Sequence, residues 1–353
     1  MPISFSDVSF VIQGPVFRNI DGEDLTLKAL NSIKRFCPGA EIILSTWRGQ
    51  NTDGLPFDQL VVSEDPGAFK DRNGEPINMN RQLISTQAGI AKVKRLYAVK
   101  FRADFLLSDC NFIKELPPTP ESPDAFFKRK IRMTNLFVQN PQKMPFLFHL
   151  SDLIQFGLSE DIKNFWNIPL YVREEILNLD SSRETEFGTY LGGSDLRLRN
   201  EQALPIGFLN KVGRGFRFEN PNQMTLEMFG FFEKFLTSNF DVIDWNESGL
   251  IFPKRMMDSF LETVFTRDEL LEIESTPEKS EARFQKAIFN KRYKSLFNRA
   301  YLFHLKKEIV FRYPSTVKFF SGIKRWQRLF FGKKLRQAET ARALLANRQK
   351  DLR

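Results

Sequence analysis

The stretch RLYAVKFRAD, residues 95–104, decides the fold of this chain. Its apolar residues 96–99 predict a short buried strand. Because side chains alternate between the two faces of a strand, Lys100, Arg102 and Asp104 then share one face. Ligands bind at the carboxyl ends of the strands in an open α/β sheet, and two cations beside one carboxylate suit a phosphate-bearing ligand, or an anion with a metal ion. The alternative is a solvated strand exit whose charges pair with each other.

The segments before this strand predict the first half of a doubly wound α/β sheet. Residues 8–12 and 41–46 are near-continuous apolar runs, typical of buried strands, and residues 59–63 make a third strand. A helix beginning at Asp24 lies between the first two strands. This order brings three strand ends to one edge of the sheet. The residues at or just after these ends are Gln13, Gly14, Pro15, Ser45, Trp47 and Glu64.

A polar loop at residues 71–79 leads to Asn80, Arg81 and Gln82 at the head of a second helix. A helix N-terminus with an arginine in its first turn is a good place for an anionic group. The alternative is that Asn80 only caps the helix and Arg81 is only a surface residue. This helix leads directly into the strand at residues 96–99.

Beyond Asp104 the patterns are weaker. Residues 126–128 and 144–148 predict short apolar strands around the basic segment KRKIRM. We expect His149 and Asp152 where the second of these strands meets a helix. A lone histidine is usually structural, and an N-cap role alone would explain Asp152.

A further helix is predicted from residue 198 and carries Glu201 near its head. A carboxylate at this position faces the ligand edge or only complements the helix dipole. Residues 224–240 predict a strongly aromatic helix that packs in the core.

Size and composition indicate a globular protein. At 353 residues and 42% hydrophobic, the chain is long enough for one large domain with appendages or for two domains. Cys37 and Cys110 are its two cysteines, and without a Cys/His cluster they argue against a structural zinc site and a secreted disulfide framework. Neither a signal peptide nor a transmembrane anchor is expected, and a reducing cytoplasm fits best.

Charge divides the chain into an acidic body and a basic tail. From Gln285 to Arg353 there are 19 Lys and Arg against three acids, whereas the preceding residues carry 33 against 40. We therefore predict a body at residues 1–283 and a helical, basic region at 284–353. Such a tail suits an anionic surface. Nucleic acid is not expected, because the tail has no zinc finger, RNA-recognition signature or basic helix-turn-helix.

An amphipathic pattern in the tail predicts a helix that lies in an anionic membrane surface. Apolar side chains repeat on one helical face and basic side chains flank them. The apolar face consists of Phe319, Ile323, Trp326 and Phe330, and the flanks consist of Lys318, Lys324, Arg325 and Arg328. With the cytoplasmic location, this predicts a peripheral protein on the inner face of the cytoplasmic membrane. The alternative is that the stripe docks on the body while the cations are solvated.

Five segments together resemble the WavE lipopolysaccharide synthesis family of bacterial glycosyltransferase-like proteins. They are VIQGPV (11–16), EIILSTW (41–47), Asn80 to Gln82 with Ser85-Thr86, VKFRAD (99–104) and HLSDLIQFG (149–157). The resemblance covers roughly the first half of the chain and implies a GT-A-like, Rossmann-like mixed sheet flanked by helices. It also implies a glycosyltransferase that moves a sugar from a nucleotide-sugar donor to a lipid-linked or oligosaccharide acceptor of lipopolysaccharide core, O-antigen or capsule.

One departure from the GT-A pattern bears on the chemistry. GT-A enzymes generally hold the nucleotide diphosphate through a metal ion bound by a DxD motif, whereas this chain has Arg102 where the first aspartate would stand. Either Asp104 alone recruits Mg²⁺ or Mn²⁺ with substrate phosphates and water, or Lys100 and Arg102 neutralise the leaving group directly. The missing motif also favours an alternative function, a non-catalytic, membrane-associated scaffold of the surface-polysaccharide machinery.

The resemblance implies two groups of donor-binding residues. We expect the base and ribose to contact Gln13, Gly14, Pro15, Ser45, Trp47 and Glu64. We expect the sugar and phosphates to contact Asn80, Arg81, Gln82, Lys100, Arg102 and Asp104. Asp152 and Glu201 are candidate catalytic bases, because an inverting transferase needs a carboxylate to take the proton of the acceptor hydroxyl. Asp104 is expected to be essential for transfer.

Overall fold

The structure is a computed structural model that describes residues 3–18, 23–70, 76–177, 196–253 and 261–294, with residues 256 and 302. Its strands are β1 (Val8–Gln13), β2 (Glu41–Trp47), β3 (Gln59–Ser63), β4 (Phe69–Lys70), β5 (Pro76–Ile77), β6 (Tyr97–Arg102), β7 (Leu106–Leu107), β8 (Ile131–Thr134), β9 (Gln155–Leu158), β10 (Phe240–Ile243) and β11 (Leu250–Ile251). Its helices are α1 (Leu25–Phe36), α2 (Met79–Lys92), α3 (Ser159–Trp166), α4 (Arg173–Ile176), α5 (Asn200–Lys211), α6 (Leu226–Asn239), α7 (Arg267–Ser275) and α8 (Ser280–Phe289).

Seven strands form one mixed sheet in the order β10-β8-β9-β6-β1-β2-β3. β6, β1, β2 and β3 are mutually parallel, and β10 is parallel to β8. β9 runs antiparallel to both of its neighbours, β6 and β8. The predicted α/β class is thus confirmed, and the architecture is consistent with a GT-A-like, Rossmann-type sheet flanked by helices.

Helices cover both faces of the sheet. Along β1, Val11 belongs to an apolar cluster with residues of α2, α3, α5 and α6. Its neighbours Phe10 and Ile12 belong to a second cluster that contains Leu30 and Ile33 of α1. Because successive strand residues point to opposite faces, the two clusters are the two sides of one core. The burial of β1, β2 and most of β6 explains why their sequences are continuous apolar runs.

One glycine allows α2 to pack closely on the sheet. A Cβ atom at Gly89 would lie 2.4 Å from Cγ1 of Val11 on β1 and 2.9 Å from Cβ of Ser45 on β2. Both distances are shorter than carbon atoms tolerate, so only glycine fits here without movement of the helix. The position of α2 matters because its N-terminus carries Arg81 and Gln82.

The predicted strands at residues 126–128 and 144–148 are wrong. The backbone N–H groups of Lys128 and Arg129 donate to the two carboxylate oxygens of Asp161, both at 3.0 Å, so a side chain replaces a strand partner. The strand in this region is β8, which overlaps the second half of the basic segment KRKIRM and extends one residue beyond it. Its Arg132 pairs with Asp241 on the neighbouring β10 at 2.7 Å, which gives the basic side chain a place in the sheet.

The boundary predicted between residues 283 and 284 falls inside α8. Arg283 forms a buried ion pair with Glu233 of α6, with Nε at 2.6 Å from Oε1 and Nη2 at 2.9 Å from Oε2. The predicted membrane-surface stripe between Lys318 and Phe330 lies outside the described residues and stays a prediction. Within the ranges that the structure describes, no helix is both long and apolar enough to cross a membrane.

The close approach of α2 predicts opposite effects of alanine at two helical glycines. Gly89→Ala should lower the free energy of unfolding by about 1–3 kcal/mol, because the methyl group overpacks the contact with β1 and β2. Gly230→Ala is the control. Its Cβ in α6 would meet only Oγ of Ser280 at 3.6 Å, so helix propensity should raise stability by up to about 1 kcal/mol. Urea unfolding measures both, and equal effects would contradict the contact at Gly89.

Candidate functional site

A cavity of about 550 Å³ opens at the edge of the sheet where the parallel strands end. β1, β2 and β6 end at this edge, and α2 and α5 contribute residues of their first turns. Because β9 is antiparallel, the residues that precede it also reach this edge. The cavity is lined by Gln13, Gly14, Pro15, Phe17, Trp47, Gln50, Asp65, Asn78, Arg81, Gln82, Ser85, Arg102, Asp104, Phe137, Asp152, Leu153, Asn200, Glu201 and Met256.

A first arginine of the cavity wall comes from the first turn of α2. Arg81 donates from Nε and Nη2 to the two carboxylate oxygens of Asp65, both at 2.7 Å, and from Nη1 to Oδ1 of Asn78 at 3.0 Å. The hydrogen bond from Arg81 lowers the pKa of Asp65. Because the pair is 35% and 40% exposed, solvent screens it and an incoming anion can replace the carboxylate at little cost.

A second arginine lies at the end of β6. Arg102 donates from Nε to Oδ1 of Asp104 at 2.9 Å and from Nη2 to Oδ2 at 3.1 Å. The Asp104 side chain is fully buried, whereas that of Arg102 is 24% exposed and lines the cavity. A guanidinium carries five N–H donors, so this bidentate pair fixes its plane and uses only two of them.

Lys100 is buried beneath the cavity rather than exposed in it. Its ammonium donates to the backbone carbonyl of Asp152 and lies 5.2 Å from the centre of the Trp166 ring. Burial lowers the pKa of Lys100 to about 7, although the negative charge of Asp152 opposes this. The contact fixes the backbone of the segment that carries Asp152.

Asp152 and Glu201 bring two carboxyl groups to the cavity from different segments. Burial raises the pKa of Asp152, while Lys100 lowers it and Glu201 raises it. Burial also raises the pKa of Glu201, against the charge of Arg199. Each carboxyl group therefore keeps its proton to a higher pH than it would in water, although the Glu201 side chain is 26% exposed and its burial is incomplete.

His149 lies behind Glu201. Its Nδ1 is 2.7 Å from the carbonyl oxygen of Phe137, and its Nε2 is 3.5 Å from Oε2 of Glu201. Phe137 has a φ of 71°, in the left-handed region that bulky residues rarely adopt. The ring of His149 also stacks on Phe146 with centroids 5.7 Å apart. Burial lowers the pKa of His149 to about 4.

The carboxylates of the cavity do not fit a preformed divalent metal centre. Asp104 and Asp65 are each held by an arginine, and burial raises the pKa of Asp152 and of Glu201, which makes both poorer metal ligands than ionised carboxylates. Among the residues that the structure describes, no three His, Cys, Asp or Glu side chains are grouped so that they could hold a metal ion. Binding of Mg²⁺ or Mn²⁺ by Asp104 therefore stays a prediction, and no step of the chemistry below depends on it.

Most predicted site residues line this cavity, but four do not, and for these the expected position is corrected. Ser45 donates to the carbonyl of Ser85 at 2.6 Å beneath α2. Glu64 pairs with Arg48 outside the lining residues. Asn80 exchanges two hydrogen bonds with the backbone of Tyr171, at 2.8 and 3.0 Å. The fourth is Lys100, described above.

The position of Asp152 also differs from expectation. It lies in the segment before β9 rather than between a strand and a helix, and it reaches the cavity because that strand is antiparallel. Glu201 lies in the first turn of α5, as predicted, and lines the cavity. The roles of both residues stay predictions.

Nine lining residues were missed by sequence reasoning: Phe17, Gln50, Asp65, Asn78, Ser85, Phe137, Leu153, Asn200 and Met256. A signal existed for four of them. Asp65 and Asn78 are polar residues adjacent to, or two positions from, the predicted Glu64 and Asn80, and Ser85 and Leu153 lie in segments that carry the family resemblance. Asn200 is the first residue of α5, and the other four lie in loops between the named strands and helices, which strand and helix periodicity does not locate.

Comparison with protein families gives one match. A family model described as WavE lipopolysaccharide synthesis matches residues 8–316, well over half of the chain. A search of curated proteins found no match.

Burial of Lys100 predicts a pH-dependent stability. In the folded state Lys100 loses its proton near pH 7, whereas the unfolded chain keeps it to about pH 10.4. Between these values the unfolded state binds more protons, so the free energy of unfolding rises with pH by up to about 1.4 kcal/mol per unit.

Lys100→Met removes this contribution. Urea unfolding at about pH 6, 7, 8 and 9 gives the free energy of unfolding of both proteins. The value for the wild type minus the value for the variant should increase above about pH 7. A difference that is constant across this range would contradict the burial of a titrating lysine.

Proposed function

The chain belongs to the WavE lipopolysaccharide synthesis family, and from this premise we propose that it is a glycosyltransferase with a nucleotide-sugar donor. The family description implies a part in lipopolysaccharide synthesis. Transfer of a sugar onto a lipopolysaccharide core, O-antigen or capsule acceptor is the finer step that we propose.

The observation that carries this proposal is the presence of two arginines and two carboxyl groups in one cavity at the strand ends. Arg81 and Arg102 present guanidinium groups from α2 and β6. Guanidinium N–H groups match phosphate oxygens in geometry and charge. Asp152 and Glu201 line the same cavity and supply groups that can take a proton. A nucleoside diphosphate sugar needs both, an anion site for the leaving group and a base near the sugar.

The rest of the lining supports a sugar nucleotide as the ligand. Amide side chains are abundant, and amides both donate and accept hydrogen bonds to hydroxyl groups and base edges. They are Gln13, Gln50, Asn78, Gln82 and Asn200. Phe17 and Trp47 add aromatic side chains, which suit contact with a flat base or an apolar sugar face. Gly14, with a φ of 116°, lets the chain turn away from β1 and leaves space beside the cavity.

The proposed reaction is a displacement at the anomeric carbon. The acceptor hydroxyl oxygen forms a bond to that carbon while the bond to the diphosphate oxygen breaks and its electron pair stays with the diphosphate. Arg81 and Arg102 stabilise the negative charge that develops on the leaving group. A carboxylate of the cavity takes the hydroxyl proton.

This proposal assigns charge neutralisation to arginines rather than to a bound metal ion. The support is the state of Asp104, whose two oxygens are already occupied by Arg102. Lys100 is excluded from direct contact because it lies beneath the cavity, so the pair that acts consists of Arg81 and Arg102.

Ligand binding to the full chain tests the proposal. A panel of nucleotide sugars, each with and without EDTA, should include one that raises the melting temperature. A ligand present at 100 times its Kd stabilises the native state by about 2.7 kcal/mol. We expect the same shift with EDTA. A shift abolished by EDTA would contradict the arginine assignment, and no shift with any donor would favour the non-catalytic scaffold.

Arginine variants test the proposed phosphate contacts. Arg81→Gln and Arg102→Gln should each weaken binding of the identified donor, and of its nucleoside diphosphate, by about 10- to 100-fold, the range for a lost charge-assisted hydrogen bond. Arg48→Gln is the control, because Arg48 is 74% exposed and pairs with Glu64 outside the lining. Calorimetric titration measures the three affinities, and an equal loss in the control would point to a general charge effect.

A further inference from the structure

The contact between His149 and Glu201 determines where a proton lies in the cavity wall. Nδ1 of His149 is 2.7 Å from the carbonyl oxygen of Phe137, which can only accept a hydrogen bond. Nδ1 must therefore carry a hydrogen. In a neutral ring Nε2 then has only its lone pair, and this lone pair faces Oε2 of Glu201 at 3.5 Å.

A carboxylate oxygen and the lone pair of a neutral imidazole repel each other at this distance, and protonation of either group removes the repulsion. Either the imidazole is cationic or Glu201 is protonated. His149 is enclosed by the Phe137 carbonyl and the Phe146 ring, and its side chain is 6% exposed, so a cation there would be poorly solvated. Arg199, whose guanidinium lies 4.6 Å from the centre of the same Phe146 ring, adds repulsion that the negative charge of Asp152 only partly offsets.

We propose that Glu201 carries a proton beside a neutral His149, so that Glu201 faces the cavity as a neutral carboxylic acid and Asp152 is the proton acceptor of the reaction. This assignment of roles deepens the proposed function and rests on it. His149 does not line the cavity and acts through Glu201, so it is a positioning residue.

The surroundings of the two carboxyl groups support this division. Asp152 has Arg102 and, below about pH 7, the ammonium of Lys100 near it, and the Gln82 side chain donates a hydrogen bond to it; all three lower the pKa of Asp152. Glu201 has one nearby cation, Arg199, and faces the lone pair of His149. When one proton must be shared between coupled carboxyl groups, it resides on the group whose anion is less stabilised.

The consequence for the reaction is a simple proton balance. The acceptor hydroxyl gives its proton to the carboxylate of Asp152 as the new glycosidic bond forms and the bond to the diphosphate breaks. Glu201 keeps its proton throughout and presents a carbonyl oxygen to the cavity, which can accept a hydrogen bond from a sugar hydroxyl.

Nitrogen NMR of the full chain, labelled with ¹⁵N-histidine, tests the protonation of His149 and Glu201 without any substrate. The chain has two histidines, and His304→Gln identifies the resonances of His149. We expect His149 to be neutral, with the proton on Nδ1, from about pH 8 down to about pH 5, below the usual pKa of about 6.5. Glu201→Gln should leave the pH at which His149 titrates unchanged, because the amide is as uncharged as the proposed carboxylic acid; a lower titration pH in the variant would show that Glu201 is ionised in the wild type and would overturn the proposal. A cationic His149 at about pH 6, or a proton on Nε2, would overturn the proposal.

Transfer rates test the division of roles once a donor is known. Asp152→Asn should lower kcat by about 10²- to 10⁴-fold, the usual contribution of a catalytic base. Glu201→Gln should lower it by only about fivefold, the size of one perturbed neutral hydrogen bond, with an unchanged pH profile. An equal loss in the two variants, with melting temperatures and donor affinities near those of the wild type, would overturn the assignment. If no donor binds the wild type, the proposed function and the role of Asp152 fail together, and the NMR comparison of the wild type with Glu201→Gln alone decides whether Glu201 is protonated.

Discussion

The arrangement of charges at the end of β6 is the constraint on which the rest of the structure depends. This strand lies in the middle of the sheet, between β1 and β9, yet it carries Lys100 and Arg102. A charge in such a position needs a partner close by, since burial without one is costly. Asp104 pairs with Arg102, and the carbonyl of Asp152 accepts from Lys100. The segment before β9 is thereby fixed against β6, and the carboxyl group of Asp152 is brought to the cavity.

The first strands could be predicted because β1 and β2 are buried on both faces, whereas β3, at the edge of the sheet, shows an alternation of exposed and half-buried side chains. β1, β2 and β3 were predicted to within about two residues, and α1 begins after its predicted cap, Asp24. The prediction failed between residues 126 and 152, where the determining contacts are long-range. The carboxylate of Asp161 satisfies the backbone at Lys128 and Arg129, and no periodicity of the local sequence reports this.

The same distinction explains which site residues could be predicted. Those at strand ends, such as Gln13 and Arg102, were found because the edge of a parallel sheet is defined by its strands. For lining residues on turns, the sequence pointed to a residue one or two positions away from the residue that lines the cavity. Glu64 and Asp65 are neighbours of the same charge, and only the fold shows that Asp65 is the one that meets Arg81. His149 was treated as structural because its connection to Glu201 involves two segments that are 52 positions apart and have no common pattern.

Arginine in place of the first aspartate of a DxD motif changes more than one ligand. It replaces a negative charge by a positive one, which alters the charge of the strand end by two units, and it turns the remaining Asp104 into the counter-ion of that arginine. A carboxylate at this point can meet a phosphate only through a cation, because like charges repel. A guanidinium meets phosphate oxygens directly and bidentately. A strand end with a DxD motif recruits a metal ion, whereas one with arginine at the first position can bind a diphosphate directly. This requires that the arginine is held in place, and the buried carboxylate of Asp104 holds Arg102.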